Sequence, residues 1–216
     1  MDDAERSYMP ALGKRWLLPL YDPLLSIFGV SATQRRLIEQ AGIRSGFRVL
    51  DIGCGTGTLA VQIKRLHPEV DVIGLDPDPE ALSIARRKAN RAGLSVEFDR
   101  GFADHMSYPD ASFDRVFSSF MLHHLKRDER SATLREIRRV LKTSGSLHLL
   151  DFTPRDNAPA GTLGRLFHRA PHEAHHFEGR VTSLMSEAGL IEAKEVAKGK
   201  IFFGPIAYYS AQHAAG

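Results

Sequence analysis

Apolar and polar positions fall into blocks whose period switches back and forth along the chain. Arg48–Ile52 is a short β-branched run of the kind that forms a buried strand, and Thr58–Leu66 then carries helical spacing. Val70–Leu75 predicts a second strand. Pro79–Ala92 predicts a helix, with Asp78 to cap it, Pro79 at its first position and Gly93 beyond its end. Ser95–Asp99 and Phe113–Ser118 predict a third and a fourth strand. Arg130–Leu141 follows as an amphipathic helix, and Gly145 leads into a fifth strand, Ser146–Asp151. Upstream, residues 31–45 predict a helix capped by Ser31 or Thr33, with Leu37, Ile38 and Ala41 as its apolar stripe and Gly42 and Gly46 after it. Downstream, Arg180–Ala188 predicts a helix ending at Gly189, and Glu192–Val196 and Phe202–Ala211 predict two closing strands.

Strands alternating with helices of this length argue for βαβ units. Right-handed crossovers then leave few topologies. The expected fold class is α/β: a doubly wound, mostly parallel seven-stranded sheet with helices on both faces. Two stretches break the rhythm. Residues 1–30 hold three prolines and a Trp/Leu/Tyr-rich patch, and residues 152–177 hold Pro154, Pro159 and Pro171 with His168, His172, His175 and His176. The expected layout is one domain over 1–216: an N-terminal helical cap (1–45), a core (46–152), an insertion on the substrate side (153–178), and a helix with closing strands (179–216).

Composition changes this picture little. The 216 residues are 43% hydrophobic and 25% charged, as in ordinary soluble proteins. The formal charge is 29 − 26 = +3, spread over short clusters such as Arg86-Arg87-Lys88 and not gathered into the stripe of a nucleic-acid binder. The single Cys54 rules out a disulfide within the chain and a cysteine-based metal cluster. The acidic start is unlike a secretory signal, and Pro19, Asp22 and Pro23 interrupt the Trp16–Val30 apolar stretch before it could span a bilayer. A cytoplasmic protein is expected, with no nucleic-acid partner and at most peripheral membrane contact.

The chemistry concentrates where the first strand ends. Val49-Leu50-Asp51-Ile52-Gly53-Cys54-Gly55-Thr56-Gly57 places three glycines between a strand and a helix. Such a loop lets a ligand approach the backbone, and the helix behind it offers free N–H groups. A dinucleotide fingerprint reads G-x-G-x-x-G; here the third glycine comes one residue early. Asp51 before the loop would repel a pyrophosphate and attract an ammonium group, which favours S-adenosylmethionine over NAD. Asp76, 19 residues after Gly57, ends the second strand, where a carboxylate can hold a ribose diol.

These segments, followed by Gly101–Asp114, Phe117–His124 and Glu136–Gly145, resemble in order and spacing the ubiquinone/menaquinone-biosynthesis-type (type 11) branch of class I S-adenosylmethionine-dependent methyltransferases. The resemblance covers roughly residues 45–152. It implies a Rossmann-like fold and methyl transfer from S-adenosylmethionine, leaving S-adenosylhomocysteine, to a small apolar or aromatic acceptor at O, C or N. It implies that Asp51, Gly53, Cys54, Gly55 and Gly57 surround the methionine moiety and that Asp76 and Pro77 meet the ribose. Ala103 and Asp104 would meet the adenine, since Phe102 stands where the family often has Asp. Ser118 and Ser119 would lie near the sulfonium.

His123 and His124 follow the fourth strand and are the candidate catalytic bases, against a reading in which they cap the next helix or fill the wall. Tyr21, His172 and His176 are the candidate lid or acceptor-facing residues. His168, His172 and His176 share helical spacing, but Pro171 opposes a continuous helix, and no metal is expected. Nucleic-acid methylation is disfavoured because Ser118-Ser119-Phe120-Met121 stands where an Asn/Asp-Pro-Pro-aromatic segment would be. Arsenic methylation is disfavoured by the lone cysteine. An NAD-dependent oxidoreductase and a regulatory protein that binds the cofactor without turnover remain as alternatives. The acceptor and the oligomeric state are not legible.

Overall fold

The computed structural model describes residues 29–153, 181–202 and 204–213. In chain order the elements are α1 (Val30–Gln40), β1 (Arg48–Ile52), α2 (Thr58–Leu66), β2 (Asp71–Asp76), α3 (Pro79–Arg91), β3 (Glu97–Arg100), β4 (Phe113–Ser119), a 3-10 turn (Leu122–His124), α4 (Arg127–Val140), β5 (Leu141–Phe152), α5 (Val181–Glu187), β6 (Leu190–Ile201) and β7 (Gly204–His213). The strands form one sheet in the order β3-β2-β1-β4-β5-β7-β6. The first five run parallel, and β7 is antiparallel to both of its neighbours. This is the expected doubly wound, mostly parallel architecture.

Burial on both faces explains why β1, β2 and β4 read as nearly continuous apolar runs. Val49, Phe117, Leu150 and Tyr208 pack under α1, α2 and α3, against Leu37, Ile63 and Leu82. Leu50, Val116, Leu149 and Ala207 pack on the other face, against Leu134 and Ile137 of α4 and Met185 of α5. The strand order reverses between β1 and β4, so a crevice opens at their carboxyl ends, where sheets of this kind bind ligands.

Several boundaries differ from expectation, each for a local reason. The first helix spans Val30–Gln40, and Gly42, at φ +56°, turns the chain out of it. Neither Ser31 nor Thr33 caps it: Gly29 occupies the N-cap, and the Thr33 hydroxyl donates to the Val30 carbonyl. α4 starts three residues earlier than its apolar stripe, because Glu129 reaches back to accept the Lys126 backbone N–H. β6 runs the full Leu190–Ile201, far past Glu192–Val196. It is an edge strand of mostly exposed side chains, so pairing with β7 defines it and apolar alternation does not. Asp78 does cap α3, accepting from the Glu80 and Ala81 N–H groups.

Candidate active site

The glycine loop fills the crevice at the end of β1. Its backbone is tied to β2: the Gly53 and Cys54 N–H groups both donate to the Leu75 carbonyl, at 2.8 and 3.1 Å. The three glycines have different tasks. A side chain on Gly55, at φ +53°, would meet nothing within 4 Å, so this position faces open space. A side chain on Gly53 would collide with Met121, and one on Gly57 would strike Ala85 and Phe98. Gly55 leaves open space beside the loop, and Gly53 and Gly57 let the loop pack closely on Met121, Ala85 and Phe98. Cys54 turns its thiol into the core beneath the loop, where burial raises its pKa, so only its backbone is available to a cofactor.

Asp76 organises the neighbouring rim. One carboxylate oxygen accepts the Gly55 N–H at 2.8 Å and the other the Asp78 N–H at 2.9 Å. The Arg100 guanidinium donates to the Pro77 carbonyl beside it. Asp51 lies fully buried behind the loop. Its carboxylate accepts the Ala60 N–H of α2, yet burial and then the nearby Asp76 charge push its pKa up to about 8. Asp51 Oδ2 and the buried Ser118 Oγ at the end of β4 have no hydrogen-bond partner among the described residues. Such orphans are costly without a partner.

The loop after β3 closes the far side. The Gly101 N–H donates to the Asp76 carbonyl, which brings Phe102, Ala103 and Asp104 beside β2. Arg139 of α4 holds this loop: its guanidinium donates to the Met106 and Tyr108 carbonyls and to Asp110, and it chelates Glu136, which in turn accepts the Met106 N–H.

Across the crevice, β4 and β5 end in a different constellation. His123 Nδ1 lies 2.6 Å from Asp151 Oδ1, and the His123 backbone N–H donates to Asp151 Oδ2 at 3.1 Å. The Phe152 N–H completes the cage around this buried carboxylate. Asp151 thus fixes the imidazole with its proton on Nδ1 and leaves Nε2 to accept one. Arg130 anchors the turn through the Leu122 carbonyl. An aromatic wall stands beside the pair: Phe152 lies edge-on to His123, and the Phe120 and Phe152 centroids are 4.8 Å apart. Phe120 sits at φ +56°, a rare conformation for an aromatic residue. The exposed His124 ring lies tilted by 44° against His123, with centroids 3.9 Å apart. Ser119 Oγ accepts from Gln34 of α1.

The family model described as a methyltransferase domain matches residues 49–145. The demethylmenaquinone methyltransferase of Thermus thermophilus is 35% identical over 154 residues, covering 70% of this chain and 68% of that one. This chain belongs to the class I S-adenosylmethionine-dependent methyltransferases, in the ubiquinone/menaquinone-biosynthesis branch. The demethylmenaquinone methyltransferase of Deinococcus radiodurans is equally similar, 35% over 154 residues, covering 70% of this chain and 63% of its own length. The ubiquinone/menaquinone biosynthesis C-methyltransferase of Xanthomonas campestris is 36% identical over 137 residues, or 62% of this chain and 53% of that one. The chain therefore spans between about half and two thirds of these curated relatives. Among solved structures, a SAM-dependent methyltransferase from Aquifex aeolicus matches its fold with TM-score 0.69 at 22% identity, covering 93% of this chain and 99% of the other.

The methyltransferase's crevice fits the cofactor of its family. The open space at Gly55, the Asp76 rim and the orphaned Asp51 and Ser118 atoms are what a ligand with an ammonium group and a ribose diol would satisfy. The NAD alternative falls with the family. Tyr21, His172 and His176 lie outside the described residues, as does His168. Sequence reasoning missed Asp151, Gln34, Met121 and Arg139. Asp151 and Gln34 lie outside the quoted segments, Met121 and Arg139 lie inside Phe117–His124 and Glu136–Gly145 without having drawn a role, and only an acid at the end of a predicted strand pointed to Asp151. No described helix is long and apolar enough to cross a membrane.

Proposed function

We propose that this methyltransferase transfers the methyl group of S-adenosylmethionine to a hydroxylated aromatic ring of the quinol type, with His123 as the base. The observation that carries this reading is the His123–Asp151 pair set in an aromatic wall at the carboxyl edge of β4 and β5. S-adenosylmethionine supplies an electrophilic methyl group on a sulfonium. The chain's task is to align an acceptor with it in a dry pocket. Phe120, Phe152 and Met121 offer an apolar wall for a flat ring. A ring carbon or a ring hydroxyl that gains a methyl group loses one proton, and His123 Nε2 is placed to take it. Asp151 holds the imidazole in the tautomer that can do so.

Asp51, Gly53, Gly55 and Gly57 with the Cys54 backbone would hold the methionine end. Asp76 and Pro77 would hold the ribose, Ala103 and Asp104 the adenine, and Ser118 and Ser119 the sulfur side. The relatives named as demethylmenaquinone methyltransferases support a quinol acceptor. The test is transfer of labelled methyl from S-adenosylmethionine to a prenylated naphthoquinol dispersed in detergent. Methylated ring product is expected. Saturable cofactor binding with no transfer to any quinol, phenol or amine would instead favour a regulatory protein.

A further inference from the structure

The β6–β7 hairpin ends in a short connection between Ile201 and Gly204. Antiparallel register pairs Ile201 with Gly204, and Phe152, the last residue of β5, with Ile206. The Thr153 N–H donates to the Pro205 carbonyl at 3.1 Å. The hairpin tip therefore projects at the same edge of the sheet as the glycine loop and the His123–Asp151 pair. Tight hairpin turns favour Gly, Asn and Asp. The strand leading into this one instead reads Lys198-Gly199-Lys200-Ile201-Phe202. Phe202 is 61% exposed, the largest exposure among the large apolar side chains described. Lys194, Lys198 and Lys200 are exposed on the strand leading to it, and Lys198 and Lys200 share one face by strand alternation. The acids on this strand are Glu192, which accepts from Gln212, and Glu195, 3.7 Å from Lys198 at the surface. Lysines therefore dominate the approach to the tip.

We infer that this hairpin tip is a docking element for an anionic lipid surface, with Phe202 entering the headgroup layer and the lysines on lipid phosphates and carboxylates. An aromatic side chain flanked by flexible cations suits that boundary, where the ring meets acyl chains and the ammonium groups stay wet. The docked orientation sets the crevice mouth against the bilayer, which gives a membrane-dissolved acceptor a path that avoids water; this purpose rests on the apolar acceptor proposed above.

The experiment is co-sedimentation of the full chain with phosphatidylcholine vesicles, with and without phosphatidylserine. Binding to the phosphatidylserine vesicles is expected, falling as salt rises. Each lysine near such a surface strengthens binding about fivefold, so Lys198→Glu with Lys200→Glu weakens it by at least about 25-fold. Phe202→Ala weakens it several-fold and leaves S-adenosylmethionine affinity unchanged. Wild type and both variants sedimenting alike, or no binding by the wild type, would overturn the proposal. So would self-association of the wild type that Phe202→Ala abolishes, because the tip would then serve a second copy. Methyl transfer in detergent without vesicle binding refutes docking alone, and vesicle binding without transfer refutes the acceptor reading alone.

Discussion

The carboxyl edge of the sheet has two sides built on different plans. On the β1–β2 side the contacts are mostly backbone to backbone or backbone to carboxylate: the glycine loop bonds to Leu75, and Asp76 gathers the Gly55 and Asp78 N–H groups. On the β4–β5 side the work falls to side chains brought from distant parts of the chain, His123 with Asp151 and Ser119 with Gln34. The first side suits a ligand that never changes, since the cofactor's polar groups are fixed. The second can be altered one side chain at a time without disturbing the loop. The proposed function divides labour accordingly, with cofactor affinity on one side and acceptor chemistry on the other.

Substitutions can break this division, and the largest effect is expected at His123. His123→Asn removes the proton acceptor, and turnover with a quinol acceptor falls by about 10²- to 10⁴-fold in a labelled-methyl assay. Next comes Asp76→Ala. It strips two charge-assisted hydrogen bonds from the loop and with them the proposed ribose contact, so S-adenosylmethionine affinity is expected to drop about 100-fold by calorimetry. Arg139→Ala releases the loop over 101–110 from α4. It lowers stability by about 1–3 kcal/mol in denaturant titration and weakens cofactor binding several-fold, with little change in turnover at saturation.

The smallest and most specific effect is on pH. Asp51 rises from 3.8 to about 8 in the empty protein. At Asp51 the folded empty chain holds more protons than the unfolded chain, so this site contributes stability that is lost as pH rises from about 4 to about 8, while the buried His148, lowered to about 3, works in the opposite sense below about 6.5. Differential scanning calorimetry should show this slope flattened in Asp51→Asn. An ammonium group favours the ionised carboxylate, so S-adenosylmethionine affinity should climb toward pH 8 by at most about tenfold per unit.

Legibility followed the same division. The glycine loop, Asp76 and the Asp78 cap were readable because a strand end, a run of glycines and a capping residue lie within a few positions of one another. The His123–Asp151 pair was half-readable: the histidines stood out after β4, but their partner lies 28 residues on, and only the parallel pairing of β4 with β5 joins them. Gln34 reaches Ser119 across 85 residues and leaves no local trace. The length of β6 was missed because an exposed edge strand with two register shifts has no alternating pattern to read. The packing constraint on Gly53 and Gly57, where a side chain would strike Met121 or Ala85 and Phe98, was not readable, because a glycine needed for packing looks the same in sequence as one needed for a ligand.

Asp151→Asn tests the division of labour most directly, because it keeps the size of the side chain while removing the charge and one of the two acceptor oxygens that hold His123. S-adenosylmethionine affinity by calorimetry and methyl transfer to the quinol acceptor would be measured on the same preparation. The account predicts affinity within about twofold of wild type and transfer slowed by about 10²-fold or more. Affinity and transfer falling together, or transfer at the wild-type rate, would contradict it.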